Sequence, residues 1–97
     1  MPQVKFAPAA LRDLERLREF LRPKNPAAAK RAAAAIVQSV QVLGHQPHIG
    51  RTVDGLSEEF REWLIEFGDS GYVVRYRYDG GALVTVLAIW HQKEAGF

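Results

Sequence analysis

Arg61, Arg75, Arg77 and His91 all fall in the last third of the chain, on runs with the composition of β-strands. Guanidinium groups are permanent cations that grip carboxylate or phosphate in a fork, and imidazole exchanges a proton near neutral pH. A short sheet displaying such groups points to contact with a polyanion or an acidic partner. The stretch reads FREWLIEF, GDSG, YVVRYRYD, GG and ALVTVLAIWHQ, with turn residues separating β-branched and aromatic runs at hairpin spacing.

Each of these groups also has a structural reading. Glu62 and Glu66 share a parity on one run, and Arg75 and Arg77 share one on the next, so cross-strand ion pairs of small worth account for the arginines equally well. Arg61 has the parity of Trp63, where it can stack on the indole or cap the sheet edge. His91 continues the parity of Leu87 and Ile89, which suits a hydrogen-bonded histidine at the core margin as well as a general base. His45 and His48 lie three apart in a proline-containing loop and could be imagined with His91 as a zinc triad. No carboxylate cluster accompanies them, and the chain has no cysteine, so no metal or cofactor is expected. GDSG and DGG read as hairpin turns, Tyr72, Tyr76 and Tyr78 as core aromatics, and Gly50 of PHIGR as the residue that permits a tight turn.

These groups need a scaffold. With 97 residues, 47% of them hydrophobic, the chain has material for one domain with one core, residues 1–97. A formal net charge of +2 permits contact with RNA or DNA without requiring it. The longest apolar run, Ala32 to Val37, is too short to cross a bilayer, and residues 1–10 lack an apolar signal segment, so a cytoplasmic location without membrane contact is expected.

Val4 and Phe6 alternate with polar neighbours as a short strand, and Pro8 opens a helix whose apolar stripe is Leu11, Leu14, Leu17 and Leu21. Asn25 before Pro26 is a cap followed by proline in the first turn. It starts a second helix that runs to Leu43 and stops at Gly44, with Ala29, Ala33, Ile36, Val40 and Leu43 as its buried stripe. The two helices should form a hairpin, followed by a long loop from Gly44 to Ser57. In the final strands, the sets Arg61, Trp63, Ile65, Phe67 and Tyr72, Val74, Tyr76, Tyr78 should face the helices. Ala82 to Trp90 is apolar on both parities, as in a central strand with both faces at least partly covered. The predicted fold is α+β, in the order βααβββ, a small antiparallel-rich sheet with a helical hairpin packed on one face.

Taken in order, VKFAPAALRDLERL, NPAAAKRAAAAI, PHIGR, FREWLI, YVVRYRYD and VLAIWHQKEAGF resemble the RelE/ParE superfamily of toxins from type II toxin-antitoxin modules, over nearly the whole chain. The resemblance implies a toxin held inactive by a cognate antitoxin in a hetero-oligomer. RelE-like members cleave mRNA on the ribosome without metal, and ParE-like members poison DNA gyrase by binding it. Metal-free cleavage needs a base, an acid and cations for the phosphorane charge. By the resemblance, Arg61 and His91 would be the catalytic pair of such a ribonuclease. Arg75, Arg77 and Arg51 would contact target or antitoxin. Gln92 stands where some ribonucleases carry an aromatic acid, and PHIGR is ParE-like, so the reading leans to a gyrase-inhibiting binder. A non-toxic binding module is the third reading, because Trp90 stands where many relatives carry a charged residue.

Overall fold

Residues 2–23, 25–67 and 70–92 are described by a computed structural model of the chain, excepting the side chains of Phe67 and Ser70. The turn expected at Gly68 and Asp69, the facing of Phe67 and the residues after Gln92 lie outside that description.

β1 (Gln3–Phe6) leads through Ala7 into α1 (Pro8–Leu21), with proline in the first turn where its missing N–H costs nothing. α2 (Pro26–Val40) starts as its sequence predicts, since the Asn25 side chain accepts from the Ala28 amide at 3.1 Å. α3 (Val42–His45) and β2 (Arg51–Thr52) follow, and then the long strands β3 (Phe60–Phe67), β4 (Ser70–Tyr78) and β5 (Leu83–His91). The sheet order is β1-β5-β4-β3-β2, with β1 parallel to β5 and the other pairs antiparallel. The α1–α2 hairpin packs on one face and closes a core of Leu17, Ile36, Val40, Leu43, Ile65, Val74, Tyr76, Val84, Val86 and Ile89.

The architecture is the expected one, with differences of detail that have local causes. The second helix breaks after Val40, where the Gln41 amide is shared by the Gln38 and Ser39 carbonyls, and a separate turn of helix begins. Gly44 lies inside that turn and is buried; a Cβ there would stand 3.1 Å from the Pro2 carbonyl oxygen, so glycine lets α3 lie against β1. Ala32, not Ala33, is the fully buried alanine of the middle turn. Leu11, expected in the buried stripe of α1, is 54% exposed. The expected long loop is interrupted by β2, which pairs Arg51 with Glu62 and Thr52 with Arg61.

A bulge in β5 changes its facing. Val86 sits opposite Tyr76 and Ala88 opposite Arg75, so Leu87 is an extra residue and the buried parity passes from Val84 and Val86 to Ile89 and His91. Beyond β1, the free edge of β5 is held by α1. The Ile89 amide donates to Asp13 at 2.9 Å, and Arg16 donates to the Ile89 carbonyl at 3.1 Å.

Candidate functional site

Alternation along β3, β4 and β5 sends half their side chains away from the helices. On that open face, Glu62 and Leu64 of β3 lie beside Val73 and Arg75 of β4, and Trp90 of β5 lies beyond them. Arg75 donates through Nε and Nη2 to one oxygen of Glu62, at 3.0 and 2.6 Å, while its guanidinium lies 5.5 Å from the centre of the Trp90 ring. The pairing of Arg75 with Glu62 is the expected cross-strand ion pair. Arg77 goes elsewhere: register sets it opposite Phe60, so it reaches Glu59 at 3.1 Å, whereas Glu66 is opposite Gly71 at the far end of the strand. Arg51, brought alongside by β2, approaches the other oxygen of Glu62 at 3.6 Å and keeps 82% of its side chain exposed.

The loop before β2 is fixed from beneath by two sheet residues. The Tyr76 hydroxyl donates to the Pro47 carbonyl at 2.8 Å and accepts from the Gly50 amide at 2.9 Å. Arg61 donates to the Gly50 carbonyl at 2.7 Å and reaches the His48 carbonyl at 3.4 Å. A Cβ on Gly50 would lie 2.7 Å from the Tyr76 hydroxyl and 2.9 Å from the Glu62 carbonyl oxygen. Glycine is therefore required by close approach, and not by the tight turn its sequence context suggests; positive φ occurs instead at Gly55 and Gly80. Burial pushes the Tyr76 phenol above its ordinary value of 10.0, with the Gly50 hydrogen bond and the Arg61 charge pulling the other way.

The residues proposed as a catalytic pair do not meet. Arg61 faces Tyr76 across β3–β4 and His91 faces Tyr72 across β4–β5. They are four residues and two strands apart, which at ordinary sheet spacings separates their Cα atoms by about 17 Å. Arg61 neither stacks on Trp63 nor turns toward His91, because its guanidinium is committed to the loop carbonyls. His91 is 8% exposed on the helix-facing side, with its ring edge-on to Tyr72 at 5.1 Å. His48 packs edge-on against Tyr78 at 5.3 Å, and among the described residues no group of three His, Asp or Glu could hold a metal.

A cavity of about 330 Å3 opens beside Arg51 and Glu62, lined also by Ile49, Leu64, Val73 and Gln92. A second, larger groove of about 670 Å3 runs between α1 and α2 over Leu11, Leu14, Ala33, Ala34 and Val37, with Glu15 and Arg18 also lining it. The groove explains why Leu11 and Val37 are exposed although they sit on apolar helix faces. Sequence reasoning missed the Tyr76 clamp and the Arg75–Trp90 contact, which depend on register across the sheet and on a link spanning 26 residues. Among the described residues no helix is long and apolar enough to cross a membrane.

Known proteins of the same kind extend these observations. The family described as the ParE toxin of the type II toxin-antitoxin system parDE matches residues 4–96. The chain is 36% identical over 94 residues to Toxin RelE3 of Caulobacter vibrioides, covering 97% of this chain and 98% of that protein. It is 39% identical over 85 residues to Toxin RelE1 of the same organism, covering 88% and 87%. A solved structure of the chromosomal ParDE TA system from P. aeruginosa has the same fold, with a TM-score of 0.76 at 21% identity, covering 94% of this chain and 96% of that one.

Proposed function

The chain belongs to the RelE/ParE superfamily of toxins from type II toxin-antitoxin systems, and from that premise we propose that it is a cytoplasmic single-domain toxin neutralised by a cognate antitoxin. The groove between α1 and α2 is the surface assigned to the antitoxin: its apolar floor and mixed-charge lining suit an amphipathic segment that orders on binding.

For the toxic action, the geometry favours binding over cleavage, in the manner of a gyrase inhibitor. The observation that carries this reading is the separation of Arg61 from His91. Metal-free cleavage needs proton-transfer groups and cations gathered round one phosphate, whereas Arg61 is spent on the Gly50 and His48 carbonyls and His91 lies against Tyr72 under the helices, so the two are not turned toward a shared site. The names of the relatives favour the other reading. Two proteins at 36% and 39% identity are RelE toxins, which supports ribosome-dependent, metal-free mRNA cleavage more directly than gyrase inhibition. On that reading the chemistry would fall to the arginines of the open face and not to an Arg61–His91 pair.

Overproduction of the chain alone should arrest growth, and co-production of its antitoxin should restore it; unchanged growth would leave only a non-toxic binding module. Supercoiling by gyrase and translation-coupled mRNA breakage, assayed on one preparation, separate the two modes. Ribosome-dependent breaks with unimpaired gyrase would reject the binding mode.

A further inference from the structure

The cations of the open face differ in how far they are already neutralised. Arg75 holds Glu62 at 2.6 Å and Arg77 holds Glu59 at 3.1 Å, whereas Arg51 is 82% exposed and stands 3.6 Å from a carboxylate already held by Arg75. The contact is long and the Arg51 guanidinium itself faces solvent, so its charge stays available to an incoming carboxylate. Beside it, Ile49 and Leu64, 40% and 42% exposed, line the cavity with Val73.

The neighbouring strand edge is also open. β2 pairs only with Arg61 and Glu62, so among the described residues β3 has no strand partner on that side from Trp63 to Glu66. An extended chain can pair there, placing alternate side chains over the open face. Glu59 and Glu62 lie among the arginines, which opposes a run of phosphates and favours a protein segment whose acidic groups are spaced by aliphatic ones.

The geometry points to this cavity and the adjoining β3 edge as the docking site for an extended segment of the toxin's protein target. Arg51 takes a carboxylate of that segment, and an aliphatic side chain beside the carboxylate enters between Ile49, Leu64 and Val73. Tyr76 is the positioning residue, because its hydroxyl fixes the loop that carries Ile49 and Arg51. The assignment of the partner as the target rests on the toxin reading proposed above, whereas the pocket's preference for acidic–aliphatic peptide does not.

The full chain, labelled with nitrogen-15, is titrated with a short capped peptide of alternating Glu and Leu and with its Lys–Leu counterpart. Amide signals of Gly50, Arg51, Leu64 and Val73 should move with the first peptide, and binding of the second should be at least about tenfold weaker. Arg51→Ala should abolish the response. Tyr76→Phe should speed amide exchange at Gly50 while the β4 and β5 amides stay protected, and should weaken the peptide response; a merely structural role would loosen strand and loop together. In cells, Arg51→Glu and Ile49→Ala should lower toxicity at unchanged melting temperature. Equal response to both peptides, shifts confined to α1 and α2, or full toxicity of both variants would overturn the proposal. A parent chain that does not arrest growth would reject the toxin reading, and the titration would then decide the pocket by itself.

Discussion

The two faces of β3, β4 and β5 are made by alternate residues of the same strands, yet they follow opposite rules. Under the helices, Ile65, Val74, Tyr76 and Ile89 are buried, and the Tyr76 hydroxyl has its hydrogen bonds inside the protein. On the open face, Glu62 is shared by two arginines, one of them 82% exposed, and Leu64 remains exposed. One face holds the fold together and the other leaves charged and apolar side chains at the surface, so substitutions one residue apart should differ sharply in what they damage.

The largest effect belongs to the covered face. Tyr76→Ala removes a fully buried ring and the loop clamp together and should cost about 3–5 kcal/mol in urea unfolding. A loss near that of a surface change would mean that the covered face is not the source of stability.

Tyr76→Phe keeps the ring and strands the Gly50 amide, for an expected cost of about 1–3 kcal/mol. It should also change the alkaline limb. The folded phenol keeps its proton above the ordinary value of 10.0, so its stabilising contribution is complete below that pH and is lost as pH rises through the folded value. Stability should therefore fall more steeply above pH 10 in the parent than in Tyr76→Phe. Parallel slopes would show that Tyr76 ionises as readily in the fold as outside it.

Glu62→Gln, on the open face, should cost about 1 kcal/mol: the Glu62 side chain is only 11% exposed, but Gln keeps an acceptor oxygen for Arg75, whose own side chain is partly exposed. Its effect should appear in binding instead, because two guanidinium groups lose their internal counterion. Tighter uptake of the Glu–Leu peptide at nearly unchanged stability would sharpen the contrast between the faces, and a large loss of stability would erase it.

The sequence made the helical hairpin, the element order βααβββ and the facing of β3 and β4 legible, because Asn25–Pro26 and the parity of Trp63 and Ile65 and of Tyr72, Val74, Tyr76 and Tyr78 are local signals. Three features were not. The bulge at Leu87 falls in a run that is apolar on both parities, so no change of pattern marks where the facing flips. β2 is two residues long and exists only because β3 lies beside it. The roles of Arg61 and Gly50 depend on a tyrosine far along the chain, and distance in sequence hides both the clamp and the gap between Arg61 and His91.

The hold of α1 on β5 has a consequence in time. β1 finds its strand partner in β5, and Asp13 and Arg16 find theirs at Ile89. During synthesis these early residues emerge long before the strand that receives them, and the pairing is among the most non-local the chain makes. The opening of the chain has no seat in the sheet until the closing strand has left the ribosome. Any protein able to grip the exposed face of α1 earlier would meet a helix whose strand partner does not yet exist.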